Sequence, residues 1–122
     1  MKDNIRAFYE LSDGLIRYNF EVTSEDNKEI RVDKPHNFNV KVEVDLDENV
    51  DRSLLDDFQV MFHSVKMEDG GDSLKLVDFK DNMGTCNFTV VPKKPGQAKV
   101  FFNLYRNTQP VHQEVFEVPV LN

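Results

Sequence analysis

Pro92-Lys-Lys-Pro-Gly-Gln-Ala-Lys-Val-Phe-Phe-Asn-Leu-Tyr-Arg-Asn107 is the stretch whose reading decides the fold. Pro95-Gly96 is a turn signal, and the run after it alternates strictly. Ala98, Val100, Phe102 and Leu104 fall on one side, and Lys99, Phe101, Asn103 and Tyr105 on the other. Successive side chains leave a β-strand on opposite faces, so a period of two predicts a strand. One face is wholly apolar and the second partly aromatic, which predicts a central strand of a layered β protein. After a polar turn, Glu114 to Val120 alternates again, so the two segments are expected to pair as a hairpin. Pro119 has no N–H to give a ladder and marks an edge or a bulge.

The same alternation recurs towards the N-terminus. Ile16, Tyr18, Phe20 and Val22 oppose Leu15, Arg17, Asn19 and Glu21. Phe38, Val40, Val42 and Val44 oppose Asn39, Lys41, Glu43 and Asp45. Phe58, Val60 and Phe62 oppose Gln59, Met61 and His63. Shorter strands are expected over 29–33, over 74–79 with Leu74 and Leu76 inward, and over Cys86, Phe88 and Val90. Polar turns are expected at 23–28 and around Gly70-Gly71, and a helical turn at Ser53 to Asp56 within the acidic connection 45–57. Residues 1–14 fit two descriptions. Asp3 or Asn4 caps a short helix through Ile5, Phe8 and Leu11, or the segment leads into a strand.

About seven strands from Leu15 onward, with no long helix, predict an all-β, immunoglobulin-like antiparallel sandwich over 15–122. Residues 1–14 are expected to be a leader or linker. The uneven strand spacing argues against an up-and-down barrel. The chain lacks tryptophan and has one cysteine, so no Cys-Trp-Cys pin joins the sheets. Its ten phenylalanines are the natural substitute.

Composition narrows the function. The chain is 39% apolar and 30% charged, which suits one globular domain. A net charge of −7 disfavours phosphate backbones and anionic membranes. Neither an apolar leader nor a membrane-length run is present. The lone Cys86 is expected to be a buried thiol in a reducing, cytoplasmic setting. His36, His63 and His112 lack metal-ligand spacing, and none of the serines lies in a nucleophile-elbow context. No catalytic residue and no cofactor is expected.

Two features remain as candidate sites. Phe101, Tyr105 and Met61, outward on their strands, are the candidate partner-binding residues, suited to a protein partner, a neighbouring domain or weak self-association. Asp45, Asp47, Asn49, Asp51, Ser53 and Asp56 place oxygens at the relative positions of a calcium loop. Val50 stands where such a loop needs glycine, and Asp56 where it needs glutamate. The stretch is therefore either a solvated acidic connection or a calcium-stabilised loop of an extracellular adhesion module.

Ile30-Arg-Val-Asp-Lys-Pro-His-Asn-Phe-Asn-Val-Lys-Val-Glu-Val44 and the segment from Phe88 through Pro95-Gly96 and Leu104-Tyr-Arg106 to Val120 carry a family resemblance. Together they resemble the immunoglobulin-like accessory domains of large bacterial, often cyanobacterial, proteins. Those proteins carry CHAT-type protease, TIR, caspase-like or NTPase domains. The resemblance implies a non-catalytic recognition or scaffolding module within a larger effector or sensor. It brings no catalytic residue with it.

Overall fold

The computed structural model describes residues 2–11, 14–24, 29–65, 67–69 and 73–122 of the chain. The expected turn residues 25–28 and Gly70-Gly71 lie outside the described residues. Ten strands are assigned among the described residues: β1 (Lys2–Leu11), β2 (Gly14–Ser24), β3 (His36–Leu46), β4 (Phe58–His63), β5 (Met67–Asp69), β6 (Leu74–Leu76), β7 (Asp78–Lys80), β8 (Met83–Pro92), β9 (Gly96–Arg106) and β10 (Gln109–Val120). A single 3-10 turn, Arg52–Asp57, lies between β3 and β4.

One sheet runs β1-β2-β3-β8-β5, with β7 also paired to β8, and the other runs β10-β9-β4-β6. All of these strand pairings are antiparallel. With β2 as strand A, the first sheet has the ABED order and the second the order GFC with an added C′. That is the immunoglobulin-like sandwich, with β1 as an extra strand outside β2. Residues 2–11 are thus a strand in place of a helix. Their ladder runs from Lys2↔Thr23 to Leu11↔Gly14 and satisfies a backbone that a short isolated helix holds only marginally.

The inward sets predicted from alternation form the core. Phe20, Phe38, Phe88 and Phe102 are fully buried, with Ile16, Val40, Val60, Val100 and Leu104 beside them. The ring of Phe102 meets those of Phe38, Phe62, Phe88 and Phe116 at centroid distances of 5.3–6.2 Å. Phe38 comes from β3, Phe88 from β8 and Phe62 from β4, so this cluster joins the sheets where a disulfide is absent.

Two short elements depart from expectation. Residues 29–33 make a single parallel bridge, Arg31↔Leu121, instead of a strand. Val32 N–H donates to Leu121 O at 2.9 Å, and Asp33 N–H to Pro92 O at 2.9 Å, so this segment seams the end of β10 to the end of β8. The 74–79 strand is split. Its N-terminal half is β6 in one sheet and its C-terminal half β7 in the other, with buried Val77 donating to Phe58 O at the crossing.

The β9–β10 hairpin closes at Arg106↔Gln109 around Asn107-Thr108, whose φ angles are 49° and 69°. Two central residues at positive φ make a type I′ turn, which favours Asn-Gly. A β-branched threonine is strained there. Thr108→Gly is expected to stabilise the chain by about 0.5–1 kcal/mol, the relief of strain exceeding the added freedom of glycine when unfolded. A urea midpoint below that of the parent chain would contradict the turn assignment.

Candidate functional site

The outer face of the β10-β9-β4-β6 sheet is built in rows fixed by its register. One row is Val115–Phe101–His63, the next Gln113–Asn103–Met61–Leu74, and the third Tyr105–Gln59–Leu76. Phe101, Tyr105 and Met61 are thus brought together, all half-buried among their neighbours. His63 extends the aromatic surface, its ring centroid 5.9 Å from that of Phe101.

The face is larger than alternation suggested. Leu74 and Leu76, expected inward, are 46% and 63% exposed. Their pairing with Met61 and Gln59 puts them on the outer side and turns Lys75 inward. The Lys75 stem lies along the sandwich edge, its ammonium donating to Asn87 O and standing 5.3 Å from the Phe88 ring centroid. A long aliphatic stem with a bonded head is tolerated inside where a bare charge is not. Val115 is 45% exposed on the same face.

None of the ten residues in these rows is Asp, Glu, Lys or Arg. The next row, Lys99↔Glu117, is charged and forms a rim. The outer face of the six-stranded sheet is different in kind. Arg17 pairs there with Asp45 and Asp47, and Lys41 with Glu43.

The acidic connection is engaged in structure. Arg17 reaches Asp45 at 3.6 Å and Asp47 at 3.0 Å. Asp51 caps the 3-10 turn by accepting from Ser53 N–H at 2.9 Å, and those Ser53 contacts lower its pKa. Val50 and Leu55 are buried and pin the connection to the core, while Asn49 and Asp56 are exposed. Among the described residues no group of three His, Cys, Asp or Glu side chains is arranged to hold a metal.

The histidines each have local roles. His36 is 2% exposed, bonded to the Ser24 hydroxyl and 5.1 Å from the Phe38 ring. His112 forms a relay that the sequence reading did not find. The Glu114 carboxylate accepts from Nε2 at 2.6 Å, leaving Nδ1 to accept from the Tyr18 hydroxyl at 3.0 Å. Burial and the Glu114 charge raise the Tyr18 pKa. This chain ties β2 to β10 where the two sheets approach at their edge. The sole available signal was two polar residues, His112 and Glu114, in the inward phase of β10. Cys86 is buried, and loss of hydration pushes its thiol up to about 12, so it is no nucleophile at neutral pH.

Among the described residues no helix is long and apolar enough to cross a membrane. No protein-family model matches the chain, and no curated protein matches it in sequence. Among solved structures, the GAE domain of GGA2p from Saccharomyces cerevisiae is similar over 94% of this chain and 98% of that one, at 15% identity and a TM-score of 0.30.

Proposed function

We propose that this chain is a non-catalytic recognition or scaffolding module that docks a protein partner or a neighbouring domain through the outer face of its four-stranded sheet. The observation that carries this reading is the absence of charge across ten outward residues in a chain that is 30% charged. Water does not demand such an exclusion, whereas interface centres are depleted in charge and enriched in aromatic residues and methionine. With strands about 4.8 Å apart and a rise of about 3.4 Å per residue, the rows cover roughly 300 Å². That matches the largest surface patch of an ordinary soluble domain, which is often functional, and six of the ten residues are apolar or aromatic: Val115, Phe101, Met61, Leu74, Tyr105 and Leu76. The face is carried by β4 and β9, whose inner sides form the core, so little ordering entropy opposes binding.

The resemblance of 30–44 and 88–120 to bacterial accessory domains supports the setting. The module stands beside an effector or signalling domain in a larger cytoplasmic protein. Nucleic acid is disfavoured as a partner, since the face offers no Lys or Arg to phosphates.

Phe101→Glu places a carboxylate between Val115 and His63, in the row of the face next to the Lys99–Glu117 rim. Phe101 is half-buried beside the His63 ring, so the change is expected to cost about 1–2 kcal/mol and leave the domain folded. Peptides selected from a displayed library against the parent chain are expected to lose at least about tenfold in affinity for the variant. Binders indifferent to this change, or a variant that unfolds, would contradict the reading.

A further inference from the structure

The uncharged face is not uniformly apolar. Gln113, Asn103 and Gln59 cross it obliquely from β10 through β9 to β4, since Gln113 pairs with Asn103, and Gln59 with Tyr105, the next outward residue of β9. Val115, Phe101 and Met61 lie on one side of this track and Tyr105 on the other. Among the described residues no side-chain hydrogen bond engages any of the three amides. Each carboxamide offers both donors and an acceptor without carrying charge.

We propose that the face takes an uncharged, proline-rich segment of its partner in the polyproline II conformation, laid across the strands along the amide track; this rests on the docking role given to the face above. Size limits the occupant. Two folded surfaces in a stable complex bury about 800 Å² each, well above the roughly 300 Å² of the rows. A second copy is further opposed by its own net charge of −7. A short linear segment fits. From Gln113 to Gln59 the track runs two strand spacings across and two residues along, about 12 Å, which is the rise of about four residues of polyproline II. The amides select the conformation. A helix closes its own backbone bonds, so its apolar face would leave the three amides dehydrated and unpaired. A β-strand pairs along a sheet edge, and over a face it finds no ladder. Polyproline II has no internal hydrogen bonds, so its carbonyls are free to accept from side-chain amides. Proline rings pack on aromatic side chains, here Phe101 and Tyr105, and a segment already held in this form loses little entropy on binding. The rows hold no counter-charge for a charged partner residue.

Selection from a displayed random dodecapeptide library on the whole 122-residue chain tests the proposal. Enriched sequences are expected to carry prolines at a spacing of three, with no charged residue between them. Synthetic copies are expected to show the circular dichroism of polyproline II and to lose about tenfold in affinity on Phe101→Glu and on Asn103→Leu. Asn103→Leu keeps the size of the side chain and removes its donors, so it separates the occupants: an apolar helix binds the leucine face at least as well. Should that change disturb β9, Gln59→Met makes the same comparison on β4. Peptides that depend on Phe101 but are helical, charged or free of proline overturn the proposal and leave the docking face standing. Binding undiminished by both amide substitutions does the same. Peptides indifferent to Phe101→Glu, or a library that yields no enrichment, overturn the proposal and the docking face together.

Discussion

Phe102→Ala is expected to remove about 3–5 kcal/mol of folding stability. The side chain is fully buried, and four other phenylalanine rings surround it. Truncation loses the transfer energy of the ring and leaves a cavity that two rigid sheets close only in part. A domain of this size holds roughly 5–15 kcal/mol in all, so the variant is left marginal. Urea unfolding followed by far-ultraviolet circular dichroism reads the loss directly. A loss below about 1 kcal/mol would remove Phe102 from the centre of the core, and with it the placement of β9 as the strand joining the sheets.

Gly84→Ala is expected to be the next most costly single change, at about 1–3 kcal/mol. A Cβ built on Gly84 stands 2.4 Å from Val77 Cγ1 and 2.8 and 2.9 Å from the Phe79 ring. Gly84 pairs with Val42 on one side and Phe79 on the other, so its backbone is held by both neighbours. Relief must come from Phe79 or Val77. Phe79 is half-buried and gives way more readily, whereas Val77 is buried and its backbone N–H is held by Phe58 O. Phe79→Leu is therefore expected to recover part of the loss in the double variant. Equal stability of Gly84→Ala and the parent in a denaturation curve would show that β7 does not pack over β8 as described.

Long strands were legible in the sequence because each buries one face against an opposite sheet. Ala98 to Leu104 and Phe38 to Val44 carry enough alternating positions to fix the phase. Leu74 and Leu76 show where that logic fails. In a strand of three residues the phase rests on two side chains, and the register with β4 overrode it. Residues 2–11 carry both spacings, Ile5, Phe8 and Leu11 for a helix and Ile5, Ala7, Tyr9 and Leu11 for a strand. Pairing with β2 decided between them, and pairing is a property of the whole sheet. The oxygen spacing from Asp45 to Asp56 was equally ambiguous. Arg17, brought opposite Asp45 by the β2–β3 register, takes up two of the carboxylates. Phe101, Met61 and Tyr105 were legible as an outward cluster, since they hold the second phase of strands whose first phase is core. The full extent of the uncharged face was not, because it depends on how β10 and β6 align beside them.

The two outer sheet faces of the molecule differ in charge. One is uncharged around Phe101, and the other is polar and salt-bridged around Lys41 and Thr85. Site-directed photo-crosslinking in cells that express the natural protein compares them directly. A photoreactive amino acid in place of Phe101 is expected to give discrete protein adducts, and one in place of Thr85 none. Adducts from position 85 alone, or equal labelling from both positions, would contradict docking through the β10-β9-β4-β6 face.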